Sequence, residues 1–417
     1  MKTNGKAALS ILGCCMAVFW SGYLAFGYPG IMATCWQERY DVGAAETGTV
    51  VTFMLFALAV SMFFSGRIHM KIGMRKCILI GTFFDVAAMV ILINAADIYG
   101  VYLWGFVTNL GCSFTYGPAL TTAQQCMPHK RGMVSGIVNF VFGISAAVMS
   151  PVWSHVLDAV GYEKMNLLLL LWVVITNAVA MIFAGKAESV HVEEAKADGK
   201  SALCKNEREK AGSGALETSA DLTVLQTLKT KSFWIIWIVW IFMGAAGISM
   251  ISLSKSYALS IGLSGIAVLT AFNIVNGGGR IVAGMLSDKI GGERTAVLAF
   301  LMTAAAYAVL PLLSGVAVIS VAAACIGFGF GTLFTVTGPI ASKRFGLKYF
   351  GMIYGLIFTA YGFIGGILGP ALSGVVLDKT GGNYGLVFGY LAVFALIGAV
   401  LMATLIRNKA SKRSRKA

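Results

Sequence analysis

Twelve apolar stretches divide this chain, each of about 20 residues or more, the length a helix needs to cross the hydrocarbon of a bilayer. They begin near Leu9, Thr47, Cys77, Tyr102, Met133, Met165, Phe233, Gly265, Thr295, Val316, Phe350 and Tyr384. In lipid every backbone N–H and C=O must find its partner inside the protein, so stretches of this kind fold as helices. The expected fold is an all-α integral membrane protein of 12 transmembrane helices. A chain that is 58% hydrophobic and 12% charged, with 50 Gly and 7 Pro, falls outside the soluble globular class. The first span is too long for a signal peptide and lacks a small-residue cleavage site, so it is read as retained.

The formal charge of +14 is carried on loops and not on a soluble basic module, which argues against a nucleic-acid partner. Of the 32 Lys and Arg, all but Arg39, Lys164, Lys255, Arg280 and Lys379 fall on one side of the membrane. The positive-inside rule then places both termini and the middle loop in the cytoplasm. The chain has no Asn-x-Ser/Thr sequon, which suits the inner (plasma) membrane of a bacterium. The eight cysteines have neither metal-ligand nor disulfide-framework spacing, and the spans lack the paired acids or histidines of a membrane-embedded enzyme. No enzyme activity, cofactor or metal is expected.

A small residue, an acid four later and a glycine three further on recur just past every third span. The copies are Ser154, Asp158 and Gly161; Gly284, Asp288 and Gly291; Gly374, Asp378 and Gly381; and Gly66, Met70 and Gly73, where the acid is missing. They lie about 90 residues apart within each half and about 220 between halves, a true repeat. Each unit holds three helices, an odd number, so consecutive copies enter the membrane from opposite sides, as in secondary transporters. The domain reading is residues 1–185 as one six-helix half, 186–231 as a polar cytoplasmic linker, 232–407 as the second half and 408–417 as a basic tail.

The stretch AFNIVNGGGRIVAGMLSDKIGGER, from Ala271 to Arg294, holds Arg280, the one basic residue near the middle of a span. An arginine there costs about 2.5 to 3.5 kcal/mol on insertion scales, so it faces a watery cavity or a partner and not lipid. Asn273 and Asn276 stack with it on one helical stripe, with Gly277 on the same side. Amides and a guanidinium beside bare backbone suit a small anion with one carboxylate, which arginine grips bidentately. The bland alternative is a structural arginine tied to carbonyls or to a neighbouring helix. Further cavity candidates are Tyr116 on a stripe with Asn109 and Cys112, Tyr354 and Tyr361 on a stripe with Phe358, and Tyr28 in the first span. Asp85 is the one carboxylate deep in a span and is read as a hydrogen-bonded or interfacial acid.

The turns GRIHMKIGMRK from Gly66 and GMLSDKIGGER from Gly284 share one frame of glycine, acid or substitute, base, glycine and base. Such a turn can latch onto helix ends and release as two halves rock. Gly66, Gly73 and Arg75 form it in the first half; Gly284, Asp288, Lys289 and Gly291 form it in the second, with Asp378 as an outer copy. The frame resembles the conserved loop of the major facilitator superfamily. Three longer stretches, NGGGRIVAGMLSDKIG, GFGFGTLFTVTGPIASKRFG and YFGMIYGLIFTAYGFIGGILGPALSGVVLDKTG, resemble its oxalate/formate antiporter branch and, more distantly, monocarboxylate transporters. That resemblance implies that Arg280 holds the substrate carboxylate and that Tyr116 shares its pocket. It also implies a lysine in the eleventh helix of an oxalate carrier, where this chain has an apolar residue, Ile357.

One buried positive charge suits one carboxylate. The expected function is a secondary active transporter of a small organic monocarboxylate such as formate, lactate or pyruvate, working by alternating access as anion exchange or proton symport. The expected partners are that anion, a proton or counter-anion, and the bilayer, with the chain acting as a monomer. A drug/proton antiporter of the same fold is the alternative, although its Gly-Pro in the fifth helix is here only Pro151. An anion channel is the alternative from another class.

Overall fold

The computed structural model describes residues 2–184, 221–263 and 265–414. Span 1 runs Lys2–Gly22, passes through a π-helical turn, Tyr23–Gly27, and continues as Tyr28–Tyr40. Spans 2 and 3 form one helical run, Ala44–Ile93, broken by the non-helical backbone of Gly73. Spans 4, 5 and 6 are Ile98–Cys126, Arg131–Val160 and Tyr162–Ala184. Spans 7 to 10 are Lys231–Ser260, Gly265–Ile290, Gly292–Val309 and Val316–Phe345. Span 11 joins Phe350–Thr359 to Gly366–Thr380 through a second π-helical turn, Ala360–Gly365, and span 12 is Tyr384–Ser414. Twelve crossings result, in two six-helix halves. Among the described residues nine helices are long and apolar enough to cross a membrane by composition alone, one of them Glu46–Ile93, which holds two spans. Span 4 is not among the nine because of the polar side chains it carries.

The repeat has a backbone cause. Gly73, Gly161, Gly291 and Gly381, the closing glycines of the four copies, all adopt positive φ, at 77°, 79°, 94° and 63°. Only glycine enters that region without steric cost, so each span that must turn back at once ends on one. The opening small residues behave differently at the two faces. On the face where the chain begins, here called the terminal face, Gly66 of span 2 presses on the Gly351–Met352 peptide of span 11 and Gly284 of span 8 presses on Gly132 of span 5, with no room for a Cβ at either contact. On the opposite face Gly374 has no atom within 4 Å of where its Cβ would stand. The halves are thus drawn together at the terminal face.

Gly365 and Gly369 in span 11 sit directly on carbonyls of span 7, a packing role that agrees with small residues allowing close helix approach. The end of the polar connector is more ordered than its composition suggests. Asp221 Oδ1 accepts from the backbone N–H of Leu347 at 3.0 Å and of Lys348 at 3.2 Å, Leu222 N–H donates to Phe345 O, and a short helix, Val224–Leu228, follows. Residues 186–220 of the expected linker, and 415–417 of the expected tail, lie outside the described residues.

Candidate functional site

Arg280 is 6% exposed and lies halfway along span 8. Its side chain crosses to the other half of the molecule. Nη1 donates to the backbone carbonyl of Asn139 in span 5 at 2.8 Å, while Nε donates to Asn276 O at 3.1 Å and Nη2 to Asn276 Oδ1 at 3.3 Å. The guanidinium lies over the Phe334 ring of span 10, 5.3 Å from its centroid, and against Gly143 of span 5, where a Cβ would stand 3.3 Å from the guanidinium carbon. A guanidinium has five N–H donors, and these bonds engage three, leaving one on each terminal nitrogen. Every partner is neutral. Among the described residues no acid pairs with Arg280, and the groups that act on it electrostatically are the hydroxyls of Tyr116, Tyr354 and Tyr361.

Around this charge the spans build an aromatic wall. Tyr361, in the π-helical turn of span 11, contacts Trp240 of span 7 and Phe330 and Phe334 of span 10, with ring centroids 5.7 to 6.3 Å apart. Trp240 is held by its Nε1–H donating to Thr337 Oγ1 at 2.9 Å. Tyr354, one turn before Phe358, is buried with its hydroxyl beside that of Tyr116. Tyr116 of span 4 stacks on Phe142 at 4.5 Å and donates its hydroxyl to Asn139 Oδ1 at 2.7 Å. Asn139 therefore joins Tyr116 to Arg280, its side chain holding one and its carbonyl the other. Gly277, one turn from Arg280, is buried yet would place a Cβ within 4 Å of nothing, so open space adjoins the stripe.

The structure gathers Arg280, Asn276, Tyr116 and Tyr361, and it separates two other expected residues from them. Tyr28 does not reach Arg280: it hydrogen-bonds Asn166 of span 6 and packs on Trp36 and Trp104 in a different apolar cluster. The π-helical turn before it, Tyr23–Gly27, shifts the helical phase of everything beyond it. Asn273 is exposed, two turns towards the opposite face, and makes no hydrogen bond to Arg280. Asp85, expected to be hydrogen-bonded or interfacial, is neither: it is 2% exposed between spans 3 and 4, against Gly111, and neither oxygen has a partner. Sequence reasoning missed Asn139. Its signal was a lone amide in span 5 flanked by Gly136 and Gly143 on the same stripe.

At the terminal face the second-half turn is closed as a latch. Asp288 Oδ1 accepts from Gly132 N–H and Oδ2 from Met133 N–H, both at 2.8 Å, so one carboxylate covers the start of span 5. In the first-half turn Met70 is exposed, and Arg75 Nε donates to Met181 O within its own half at 3.1 Å. Lys289 is exposed beside Asp288 and Gly291 carries the turn. Asp378 is exposed at the opposite face with no hydrogen bond among the described residues.

A twelve-span helical protein in two halves, with a cross-half buried cation and glycine-hinged turns, is the architecture of a membrane carrier. The chain belongs to the Major Facilitator Superfamily, whose family profile matches residues 9–370. The oxalate:formate antiporter of Oxalobacter formigenes is 25% identical to it over 349 residues, covering 81% of this chain and 78% of that protein. Monocarboxylate transporter 13 of Rattus norvegicus is 23% identical over 403 residues, covering 94% and 87%. The solved structure of the proton:xylose symporter XylE superposes with a TM-score of 0.68 at 14% identity over 96% of each chain, a likeness of fold. This is a multi-pass membrane transporter.

Proposed function

We propose that the protein carries a small organic monocarboxylate across a bacterial inner membrane by alternating access, both termini in the cytoplasm, with Arg280 as the carboxylate ligand. The observation that carries this reading is a buried guanidinium with two N–H groups not engaged by the protein and, among the described residues, no acid paired with it. Burying a charge without a counter-ion is costly, and an incoming carboxylate removes that cost while taking the two donors as a fork. The names of the two relatives, an oxalate:formate antiporter and a monocarboxylate transporter, support a small organic carboxylate as the cargo. Tyr354 and Tyr361 supply hydroxyls for the remaining carboxylate lone pairs, and Trp240, Phe330 and Phe334 cover the hydrocarbon end of the anion. The apolar Ile357, buried on span 11, offers no second charge, which disfavours a dianion such as oxalate.

Exchange is the favoured mode. A second anion can meet the Arg280 guanidinium on the return step, and proton symport is the other mode open to a carrier of this kind. Counterflow into liposomes tests the reading, with labelled formate, lactate or pyruvate taken up against the same unlabelled anions and against oxalate. The expected result is saturable exchange of at least one monocarboxylate with oxalate the weaker competitor, activity lost in Arg280→Gln and nearly lost in Arg280→Lys, whose ammonium cannot form the planar fork. Wild-type exchange by Arg280→Lys, or oxalate as the strongest competitor, overturns it.

A further inference from the structure

A polar cavity lies at the terminal face, about 170 Å³ in volume, between the end of span 2, the end of span 4 and the start of span 11. Its wall includes His69 and Met70 from span 2, Thr122 and Gln125 from span 4, and Lys348 and Gly351 from the other half. That volume is below the usual range for organic ligands and equals a few waters, or one small polyatomic ion with its hydration. His69 is 7% exposed. Its Nε2 shares a hydrogen bond with Thr122 Oγ1 at 3.2 Å, and its Nδ1 is buried with no partner.

The charge around the cavity is positive. Lys348 holds its ammonium over the Tyr349 ring at 5.5 Å and pairs with no acid among the described residues. Span 11 then begins at Phe350 with no side-chain cap on Tyr349, so its first N–H groups lack the carboxylate that Asp288 gives span 5. Asp221 takes the Leu347 and Lys348 N–H groups one step earlier and is not part of the wall. An uncapped helix start, a lysine and an unpartnered ring nitrogen around a small cavity together describe an oxyanion site.

We propose that this cavity binds a small oxyanion of phosphate type, which does at span 11 what the Asp288 carboxylate does at span 5. The bound ion stands where the frame has lost its acid at Met70. Because the wall is shared by both halves, it exists only while the terminal face is closed, and occupancy favours that state by mass action. The same chemistry is offered by free phosphate and by the headgroup of an anionic phospholipid.

Thermal unfolding of the purified full chain tests the site, with inorganic phosphate compared with chloride at equal ionic strength. Phosphate is expected to raise the unfolding temperature saturably in the wild type and equally in Arg280→Gln. The rise should vanish in Met70→Asp, whose carboxylate fills the place, and Lys348→Gln should need several-fold more phosphate. A parallel series in nanodiscs with and without phosphatidylglycerol separates the sources: a rise from the lipid alone, again lost in Met70→Asp, assigns a headgroup, and a rise from free phosphate assigns a soluble ion. Equal effects of phosphate and chloride with no lipid effect, or a rise that survives Met70→Asp, overturn the proposal. Loss of the rise in Arg280→Gln would put the anion at the transport site and overturn it as well.

Discussion

Gly66 and Gly284 each press their backbone on a glycine of the other half, Gly351 and Gly132, and seven residues later each chain turns through a glycine of positive φ. Between those glycines the halves diverge. Asp288 takes two backbone N–H groups from the start of span 5, whereas Met70, at the same place in the frame, offers span 11 neither charge nor hydrogen bond. Packing is therefore repeated faithfully while the electrostatic latch is kept on one side. Backbone-to-backbone contact tolerates no added atom, so both glycines are held to their identity by sterics. A latch contributes only a bias, and one side of the molecule works without its own carboxylate.

The largest effect should come from the shared part. Gly66→Leu and Gly284→Leu should each force the terminal face apart, by about 1 to 3 kcal/mol or more of overpacking. Labelling of single cysteines at the terminal mouth, in a cysteine-free background, should rise strongly in both. Tolerance of one and not the other would break the symmetry of packing. Next comes Asp288→Asn, which keeps the shape but removes the charge at the helix start. It should shift the resting population towards an open terminal face by about 0.5 to 2 kcal/mol. Unchanged labelling would mean that the carboxylate is not a latch. The smallest is Met70→Asp, which should close the terminal face further, by about 0.3 to 1 kcal/mol, since an exposed carboxylate near a helix start interacts only weakly in solvent. Labelling that does not fall, in a variant that folds normally, would make Met70 a packing choice with no bearing on the latch.

In the candidate site, much was legible because it followed from one helix at a time. Arg280 and Asn276 are four residues apart on one helix, so their bond needed no knowledge of the rest of the fold. Tyr116 was legible as a neighbour through resemblance, yet it meets Arg280 through Asn139, a relation between spans 4, 5 and 8 that no single periodicity contains. Tyr28 was named as a tyrosine of the first span with no spacing to fix its direction, and it lies just past a π-helical turn, Tyr23–Gly27, in the cluster with Trp36 and Trp104.

The sequence by itself determined the number of crossings, since backbone groups in lipid have no partner except their own helix, and the places of the turns, since only glycine takes positive φ freely. It also determined that one cation would be buried. Tertiary structure alone decided what that cation touches, that no acid among the described residues pairs with it, and which face the halves close on. Spacing along a helix sets the direction in which a side chain points; the neighbour it meets depends on how separate helices are rotated and shifted against one another, and that is settled by packing across the whole bundle.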